Sequence, residues 1–349
     1  MFDYLSLIMY FVIVTAIFAI TSMSLNLEAG VTGLPNFGKV AFLALGGFMA
    51  GTVAVTLGML VTGKSGPPYL AQTTSAVQQL AKVDPVFDVS VFILGMLLSI
   101  VIGGLAGMLA SYPAIRLRED YLGITLLAIG EVIRAIQNNV PAIAGGPFGL
   151  PYVPGPLDWM RGTYGTTAYY LAFMSLAILL ASLCFIYFNR LLNSPYGRVL
   201  RSIRDNEVVA ESLGKDINKT KIHVMVVGSA VAAMAGAFSV YFVQSVYNDS
   251  YRPAITFVIY LIVLLGGAGN FKGTIVGAVI YEIIDVGTNF ISPAISSYHY
   301  IPANIIPHAK YLVIGILILL IVIYRPEGLL PEERIKTVGW DVLDKRSHS

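Results

Sequence analysis

The stretch MFDYLSLIMYFVIVTAIFAITSMSLNL, residues 1–27, decides the fold class of this chain. It lacks the basic leading segment of a signal peptide, because Asp3 is its only early charge. Its apolar run is also longer than a signal core, and no clean A-x-A site follows it. A helix needs about 20 apolar residues to cross the hydrocarbon of a bilayer. The stretch therefore predicts a first membrane span and not a cleaved leader.

The composition of the whole chain agrees with a membrane location. Of the residues, 56% are hydrophobic and 12% are charged, and the mean hydropathy is +0.75, whereas soluble domains carry about 25% charged residues. A net charge of +2 gives no reason to expect nucleic acid as a partner. Helices are the expected spanning element, because each satisfies its own backbone hydrogen bonds in lipid. We predict an all-α polytopic membrane protein.

Apolar runs along the chain predict eight or nine transmembrane helices. Clear runs cover about 5–27, 40–62, 89–112, 165–189, 221–243 and 310–324. Shorter runs, or runs interrupted by Gly and charge, cover about 120–136, 254–267 and 273–292. No compositional break marks a second domain. Residues 1–330 are therefore expected to form one transmembrane domain, and residues 331–349 a short tail.

Basic residues are concentrated in three segments, which the positive-inside rule places in the cytoplasm. They are the loop 190–221, the turn at Arg116 and Arg118, and the tail after residue 324. The opposite loops are poor in basic residues and are expected outside; they cover about 63–88, 137–164, 244–253 and 293–309. With every weak span counted, the N-terminus also lies outside. The first outer loop has helical character and is expected on the membrane face.

Three segments, 30–47, 144–155 and 264–279, interrupt apolar runs with clustered glycine. Such segments either bring helices into close contact or break a helix so that backbone groups meet a transported solute. Both interpretations stay open for the first and third segments. The second has four prolines between 147 and 156 and is expected to be an outer loop with turns. Candidate residues of a translocation path are Gly30, Gly33, Asn36, Gly38, Gly266, Gly267, Gly269 and Asn270.

Charged residues inside the apolar segments are few, and each is a candidate functional residue by default. They are Glu28, Lys39, Glu131, Arg134, Glu282 and Asp285. The first two are expected at span ends. The middle two stand three apart on one helix, so they can pair with each other. The two acids of the last pair share a helix face, which indicates a wet outer edge or a contact with a second subunit.

No catalytic or metal-binding constellation occurs in the sequence. It contains no H-E-x-x-H, no G-x-S-x-G and no P-loop motif G-x-x-x-x-G-K-[ST]. The four histidines are scattered, and the single Cys184 lies in an apolar run, where a small buried side chain is expected. The chain is therefore not expected to be an enzyme or to bind a cofactor. If ATP drives its activity, the ATPase is another polypeptide.

The segment 198–221, RVLRSIRDNEVVAESLGKDINKTK, carries six basic and four acidic residues within an otherwise apolar chain. Its periodicity predicts one amphipathic helix in which Asn206 fills a gap and Gly214 forms the C-cap. The four acids argue against a helix lying on anionic lipid. A solvated loop helix and a docking element for a soluble partner are the other interpretations. The apolar positions of the predicted stripe are Val199, Ile203, Ala210 and Leu213.

At this segment the chain resembles a known family, the membrane permeases of branched-chain amino acid ABC transporters. The resemblance is to the LivM and LivH class, closer to LivM, and covers roughly residues 20–330. Its most specific part is 197–238, GRVLRSIRDNEVVAESLGKDINKTKIHVMVVGSAVAAMAGAF. Three further family motifs are present, and together with this part they stand along the chain in the order of the family. They are Asn26, Leu27, Gly30, Gly33, Gly38, Phe42 and Gly46; then Gly266, Gly267, Gly269, Gly273 and Gly277; then Tyr324 to Leu329.

The resemblance implies the permease subunit of an ATP-binding cassette importer in the plasma (inner) membrane. Its solute would be a branched-chain or other small amino acid, or urea or a short amide. The implied partners are a second homologous permease, two ATPases that hold ATP and Mg²⁺, an external substrate-binding protein, and lipid. The segment 201–216 would be a coupling helix seated in an ATPase cleft. Its coupling residues would be Arg201, Arg204, Asp205, Glu207, Ala210, Glu211 and Gly214.

The chain departs from the family pattern at three places. These are Leu34-Pro35 after the first glycines, Lys215 where Ile or Val is common, and the long loop 63–88. These departures leave the transported solute undetermined, but they do not affect the resemblance to the transporter class. A secondary transporter or channel that works alone is the alternative function, and it would need acids near the midplane and no ATP. A membrane enzyme would need a catalytic cluster, which the sequence does not contain.

Overall fold

The apolar and charged runs form twelve α-helices in the part of the chain that the computed structural model describes. That part comprises residues 4–117, 119–296, 312, 315–317, 319–321, 323–325 and 327–332. Within it no strand forms, and Leu150 and Val246 make an isolated bridge. The helices are α1 (Tyr4–Leu25), α2 (Lys39–Thr62), α3 (Ala71–Val83), α4 (Pro85–Arg116), α5 (Glu119–Asn139), α6 (Asp158–Thr163), α7 (Gly165–Asn193), α8 (Pro195–Asp205), α9 (Glu207–Ser212), α10 (Ile217–Val243), α11 (Ala254–Gly266) and α12 (Phe271–Ser296).

Six helical segments of the described residues are long and apolar enough to cross a membrane. They are Tyr4–Val31, Lys39–Thr62, Pro85–Arg116, Gly165–Asn193, Ile217–Val243 and Asn248–Gly266. The predicted class, an all-helical multi-pass membrane protein, is thereby confirmed. Helices α5 and α12 cover the weaker predicted spans 120–136 and 273–292. The predicted span 310–324 lies partly outside the described residues, so the count of eight or nine stays a prediction.

Other sequence predictions also fall outside the described residues. Arg118 is one of them, as are residues 297–309 of the last outer loop and residues 333–349 of the tail. The remaining outer-loop predictions can be compared with the structure. Residues 63–88 contain the predicted helix, α3, and the predicted turns in 144–155 appear as positive φ angles at Gly145, Gly146 and Gly149.

Helix α10 forms the centre of the bundle, because small residues let α2 and α4 approach its backbone. A Cβ atom added to Gly46 on α2 would lie 1.9 Å from the carbonyl oxygen of Ala233. One added to Gly236 on α10 would lie 1.9 Å from the carbonyl oxygen of Leu43. One added to Gly103 on α4 would lie 2.4 Å from the Ala233 Cβ. Backbone contact of this kind is how membrane helices associate when burial from water no longer drives them together.

The substitution Gly46→Ala is expected to lower the free energy of unfolding by about 3 kcal/mol, the upper range for overpacking. The added methyl group meets backbone and not a flexible side chain, so α2 and α10 must separate. Thermal unfolding in detergent measures the effect. Gly104→Ala is the matched control, because its Cβ would have no neighbour closer than 3.7 Å. Equal losses in the two variants would contradict the packing argument.

Polar segments meet at one end of α10. Glu207 pairs with Lys221 near the start of that helix, with 2.6 Å between Oε1 and Nζ. Both residues line a cleft together with Arg116. Glu332 reaches the same region from the C-terminal segment and pairs with Arg201. The three basic segments thus lie at one end of the bundle, as their composition indicates.

The loops that are poor in basic residues meet at the opposite end of α10. Leu150 and Val246 exchange backbone hydrogen bonds of 2.8 and 3.0 Å, which join the loops 137–164 and 244–253. Gln244, just after α10, donates to Asp158 at 2.6 Å. Helix α3 packs on α6 at this end. The described loops are therefore sorted as predicted, and the assignment of either end to the cytoplasm stays a prediction.

Candidate coupling site and translocation path

The charged segment forms two short helices, which corrects the prediction of one continuous amphipathic helix. Helix α8 ends at Asp205, and the next residue, Asn206, has an extended backbone with φ −164°. The Asn206 side chain accepts a hydrogen bond of 3.1 Å from the Val209 N–H. An asparagine that binds the backbone in this way is a good N-cap and a poor interior helix residue. Asn206 therefore starts α9 and does not bridge a gap in a longer helix.

Helix α9 ends at Ser212, and Gly214 caps it, as predicted. The glycine has φ +75°, a left-handed conformation that glycine adopts at low cost. Its N–H donates to the Glu211 carbonyl at 2.8 Å, and the Lys215 N–H donates to the Ala210 carbonyl at 3.2 Å. These two bonds are those of a Schellman C-cap. The cap satisfies carbonyls that would otherwise be unpaired and ends the helix sharply.

Asp216 then caps the start of α10. Its Oδ1 accepts from the Lys219 N–H at 3.0 Å, and the Lys219 ammonium lies 2.9 Å from its Oδ2. The backbone hydrogen bond, followed by the side-chain hydrogen bond, lowers the pKa of Asp216 below its usual value. The carboxylate thus stays ionised at neutral pH, where it stabilises the helix start. Three caps within eleven residues, Asn206 to Asp216, hold the whole turn in one shape.

The predicted apolar stripe is divided between the protein interior and the solvent, so its positions do not share one face as the single predicted helix requires. Ile203 and Ala210 are buried within the chain, whereas Leu213 is 71% exposed. Val208 and Val209, which the stripe did not include, are 72% and 54% exposed. The exposed apolar side chains of the segment are therefore concentrated on α9. The division follows from the break at Asn206, which changes the phase of the second helix.

The two candidate coupling arginines point toward the rest of this chain. Arg201 Nε donates to Glu332 at 2.6 Å. Arg204 Nη1 lies 2.8 Å from the other oxygen of Glu332 and donates to the Gly30 carbonyl at 2.7 Å. Glu332 thus holds both arginines, and Arg204 connects α8 to the first glycine-rich segment. Among the other candidates, Asp205 is exposed beside Arg204, Glu207 pairs with Lys221, and Glu211 is exposed.

Glu332 was missed by sequence analysis. It stands in the C-terminal segment, which the sequence analysis characterised by its basic residues, and it carries no periodic or motif signal. Its neighbours are ordered by contacts with the loop after α11, where the Leu330 N–H donates to the Gly266 carbonyl at 3.0 Å and Asn270 Nδ2 donates to the Leu330 carbonyl at 3.2 Å. Contacts between segments so distant in sequence leave no local pattern. Glu332 is therefore part of the site.

The first glycine-rich segment breaks the helix that begins at Tyr4. Residues Asn26–Val31 form a π-helical turn, and regular helix resumes at Lys39. Asn26 Oδ1 accepts from the Gly269 N–H at 2.8 Å, and its Nδ2 donates to Thr274 at 2.7 Å. The first and third glycine-rich segments are therefore in direct contact. π-Helical turns of this kind occur often at functional sites.

Glu28 and Lys39 lie at the ends of the spans Tyr4–Val31 and Lys39–Thr62, as predicted, and they close this break with a buried ion pair that the sequence did not predict. Lys39 Nζ lies 2.9 Å from Glu28 Oε1, and both side chains are 0% exposed. Asn36 Nδ2 donates to the other Glu28 oxygen at 2.8 Å. Gly228 leaves room for the pair, because a Cβ atom there would lie 2.1 Å from Glu28 Oε1. The two charges compensate each other where water does not reach them.

Side chains of α11 satisfy backbone groups that the break leaves open. The Tyr260 hydroxyl accepts from the Asn36 N–H at 2.8 Å, and Thr256 Oγ1 accepts from the Val40 N–H at 3.1 Å. Such partners are required because lipid offers none. Within segment 32–38, which has no regular helix, the Asn36 and Gly38 N–H groups donate to side chains and the Leu34 N–H donates to the Glu28 carbonyl.

The glycines proposed for a translocation path all lie at close contacts with backbone or side-chain atoms. A Cβ atom would come within 3.2 Å of a neighbour at each of Gly30, Gly33, Gly38, Gly266, Gly267 and Gly269. Gly38 faces the Leu126 carbonyl, and Gly267 faces the Leu330 carbonyl. These contacts account for the glycines by packing. Their exposure to a solute stays a prediction, as does that of Asn36 and Asn270, whose side chains accept backbone N–H groups.

These features define the class, a multi-pass helical membrane protein in which a capped pair of short helices is bound to broken membrane helices. Residues 7–322 match the family described as the permease component of branched-chain amino acid transport systems, and the chain belongs to this family. The resemblance to this family is thereby confirmed, and so is the prediction of a transport subunit rather than an enzyme. No solved structure matches the chain.

Individual relatives agree with the family match. The chain is 37% identical over 324 residues to the probable branched-chain amino acid transport permease protein LivM of Methanocaldococcus jannaschii. The matched residues make up 92% of this chain and 92% of the relative. It is 30% identical to LivM of Escherichia coli over 66% of this chain and 55% of that one. The probable LivH of M. jannaschii is 22% identical over 78% of this chain and 77% of the relative.

Proposed function

We propose that this protein is the permease subunit of an ATP-binding cassette importer for branched-chain or other small aliphatic amino acids. The substrate class is supported by the printed names of the relatives, above all the LivM protein that matches 92% of this chain. The similarity to both LivM and LivH of one organism supports pairing with a second homologous permease. An external binding protein delivers the amino acid, and two cytoplasmic ATPases hold ATP and Mg²⁺.

The observation that carries the coupling proposal is the exposure of α9. Its Val208, Val209 and Leu213 are open to solvent at the basic end of the bundle, while Arg204 of the preceding helix binds the Gly30 carbonyl at the helix break. An apolar surface on a short, capped helix fits a groove in a soluble protein. We infer that the ATPase takes this surface and that its motion reaches the break through Arg204.

The topology that we propose has nine spans. The six apolar segments are joined by α5, by α12 and by residues 310–324. This count places the loop 190–221 and the C-terminus in the cytoplasm and the N-terminus outside, in agreement with the basic residues. Labelling of single introduced cysteines from either side of the membrane tests this arrangement, and external labelling at Ser349 would contradict it.

The decisive experiment is uptake by the complete transporter in proteoliposomes. ATP-driven import of leucine is expected to depend on the binding protein, and the binding protein is expected to stimulate ATP hydrolysis. Alanine, urea and acetamide in the same assay define the solute range. Import that continues without ATP and resists vanadate would instead favour a secondary transporter.

Gly214→Pro is expected to reduce ATP-driven uptake at least tenfold without loss of the protein from the membrane. Proline fixes φ near −65° and removes the N–H, whereas Gly214 has φ +75° and donates to Glu211. Joint reversal of Glu207 and Glu211 to lysine is expected to have the same effect through repulsion at the docking surface. Uptake per assembled complex is the measurement.

Gly63→Pro is the matched control for that prediction. Gly63 also follows a helix with a positive φ, of 64°, but it lies at the opposite end of the bundle. A Cβ atom would meet nothing within 4 Å at either glycine. Equal loss of uptake in the two proline variants would assign the effect to helix termination and not to coupling.

A further inference from the structure

A polar cleft lies beside α9 at the basic end of the bundle. It has a volume of about 520 Å³. Its lining comes from two places, the turn between α4 and α5 with Arg116, Leu117 and Asp120, and the pair of Glu207 and Lys221. Glu207 is the first residue of α9, so the proposed docking helix forms one edge of the cleft. The surface proposed for the ATPase therefore continues into this cleft.

The floor of the cleft consists of residues that are buried in the bundle. Leu34 and Leu122 line it and are 3% and 1% exposed. The Lys221 side chain is 8% exposed, and its ammonium group is held by Glu207 at 2.6 Å. Leu34 belongs to the irregular stretch before α2, and Lys221 stands near the start of α10. A group that reaches the floor contacts both the helix break and the central helix.

The rim of the cleft carries two charges that make no ion pair with another side chain that the structure describes. Arg116 and Asp120 are both exposed at this rim. The Arg116 guanidinium lies 4.5 Å from the centre of the Tyr112 ring, a contact that positions the cation but leaves its charge in place. Glu207 and Lys221 compensate each other. The rim therefore offers one positive and one negative charge to a partner.

The shape and the charges of this region favour a protein as the occupant. Helix α9 is a ridge on which Val208, Val209 and Leu213 are exposed. A groove that takes a ridge needs a wall on each side of it, and the cleft provides the space for the wall on the Glu207 side. The carboxylates of Asp120 and Glu207 weaken attraction to anionic lipid. Charges of both signs suit a protein surface of complementary charge, because such pairs fix the register of two partners.

We propose that a projecting segment of the ATPase, beside the groove that takes α9, enters this cleft. The segment carries an acidic side chain that pairs with Arg116 and a basic one that pairs with Asp120. This inference rests on the proposed function and adds a second contact, on the turn between α4 and α5, to the contact on α9. Motion of the ATPase then reaches the bundle by two routes, through Arg204 and through the floor of the cleft.

Protection from a thiol reagent tests this contact. Inside-out vesicles that hold the complete transporter are treated with a membrane-impermeant maleimide before and after the ATPase is stripped with urea. Leu117→Cys, at a cleft residue that is 37% exposed, is expected to react at least tenfold more slowly with the ATPase in place. Asn193→Cys is the control, because Asn193 is exposed at the end of α7 and does not line the cleft. Its rate is expected to change less than twofold, and the native Cys184 is buried.

Charge reversal gives an independent measurement of the same contact. Arg116→Glu and Asp120→Lys are each expected to raise the Kd between permease and ATPase at least tenfold in detergent. The titration is made at physiological salt, where exposed charges more than about 8 Å apart are largely screened. Arg190→Glu is the matched control, because Arg190 is an exposed basic residue in the last turn of α7 outside the cleft. It is expected to change the Kd less than twofold.

Two results would overturn the inference directly. They are equal labelling of Leu117→Cys with and without the ATPase, and rim variants that bind the ATPase as Arg190→Glu does. Slow labelling that persists after the ATPase is removed would assign the cleft to lipid and would also overturn it. An ATPase that binds the unaltered permease but leaves the cleft open would leave the proposed function standing. Failure of the ATPase to bind the unaltered permease would overturn the proposed function itself.

Discussion

Replacement of Lys39 by methionine is expected to lower the free energy of unfolding by about 3 to 5 kcal/mol, the cost of breaking a buried ion pair from one side. Glu28 would lose its counter-ion at a site where both side chains are 0% exposed, and Asn36 would be its remaining hydrogen-bond partner. Methionine matches the length of the lysine stem, so packing changes little. Thermal and denaturant unfolding in detergent measure the loss.

The double variant Glu28→Gln with Lys39→Met provides the critical comparison. It removes both charges, and the glutamine amide can still bond to Asn36, so most of the lost stability is expected to return. Lys82→Met, at an exposed position on α3, is expected to change stability by less than about 0.5 kcal/mol. A double variant no more stable than Lys39→Met would show that the charge left behind is not the cause.

Glu332→Gln is expected to separate ATP hydrolysis from transport. The substitution keeps the shape of the side chain but removes the charge that binds Arg201 at 2.6 Å and Arg204 at 2.8 Å. Hydrogen bonds to charged groups contribute about 1.5 to 3 kcal/mol each. Without them Arg204 is less firmly held at the Gly30 carbonyl. Binding-protein-stimulated ATPase activity is expected to persist while leucine uptake falls about tenfold.

Asp216→Asn is the control for Glu332→Gln at the same end of the bundle. Its carboxylate also binds a basic side chain, Lys219 at 2.9 Å, but the pair is exposed. Exposed pairs contribute about 0 to 1 kcal/mol, and asparagine keeps the N-cap. Uptake is therefore expected to stay near its usual level. An equal fall in uptake and ATP hydrolysis in Glu332→Gln would assign Glu332 to folding and not to coupling.

Local signals in the sequence predict the parts of the site that depend on neighbouring residues. The first apolar run became α1, and the glycine after the charged segment became a C-cap at Gly214. Glu131 and Arg134 were predicted to pair and do so, at 2.9 Å. Each of these results depends on residues within one or two helical turns. Hydrophobic length, caps and i,i+3 spacing are therefore sufficient for them.

Three features of the site were not predicted from the sequence, and two of them depend on contacts between segments that are apart in the chain. Glu28 and Lys39 stand at span ends, as predicted, but their burial and their pairing across the irregular stretch between them leave no pattern in the sequence. Asn206 fits a helical repeat, but its side chain binds the backbone and divides the helix. Glu332 is placed by partners 128 and 131 residues away. Tertiary contacts decide the first and third cases, whereas the Asn206 cap is a local contact that the helical repeat conceals.

The short separation of Glu28 and Lys39 bears on how the protein is made. The two charges are eleven residues apart, so they leave the ribosome nearly together, long before Gly228 on α10. A helical hairpin of α1 and α2 can thus enter the bilayer as a neutral unit, in which the ion pair has formed before either helix meets lipid alone. Assembly of the later helices then closes around a charge pair that already exists, and biogenesis avoids the step of moving a single charge into hydrocarbon.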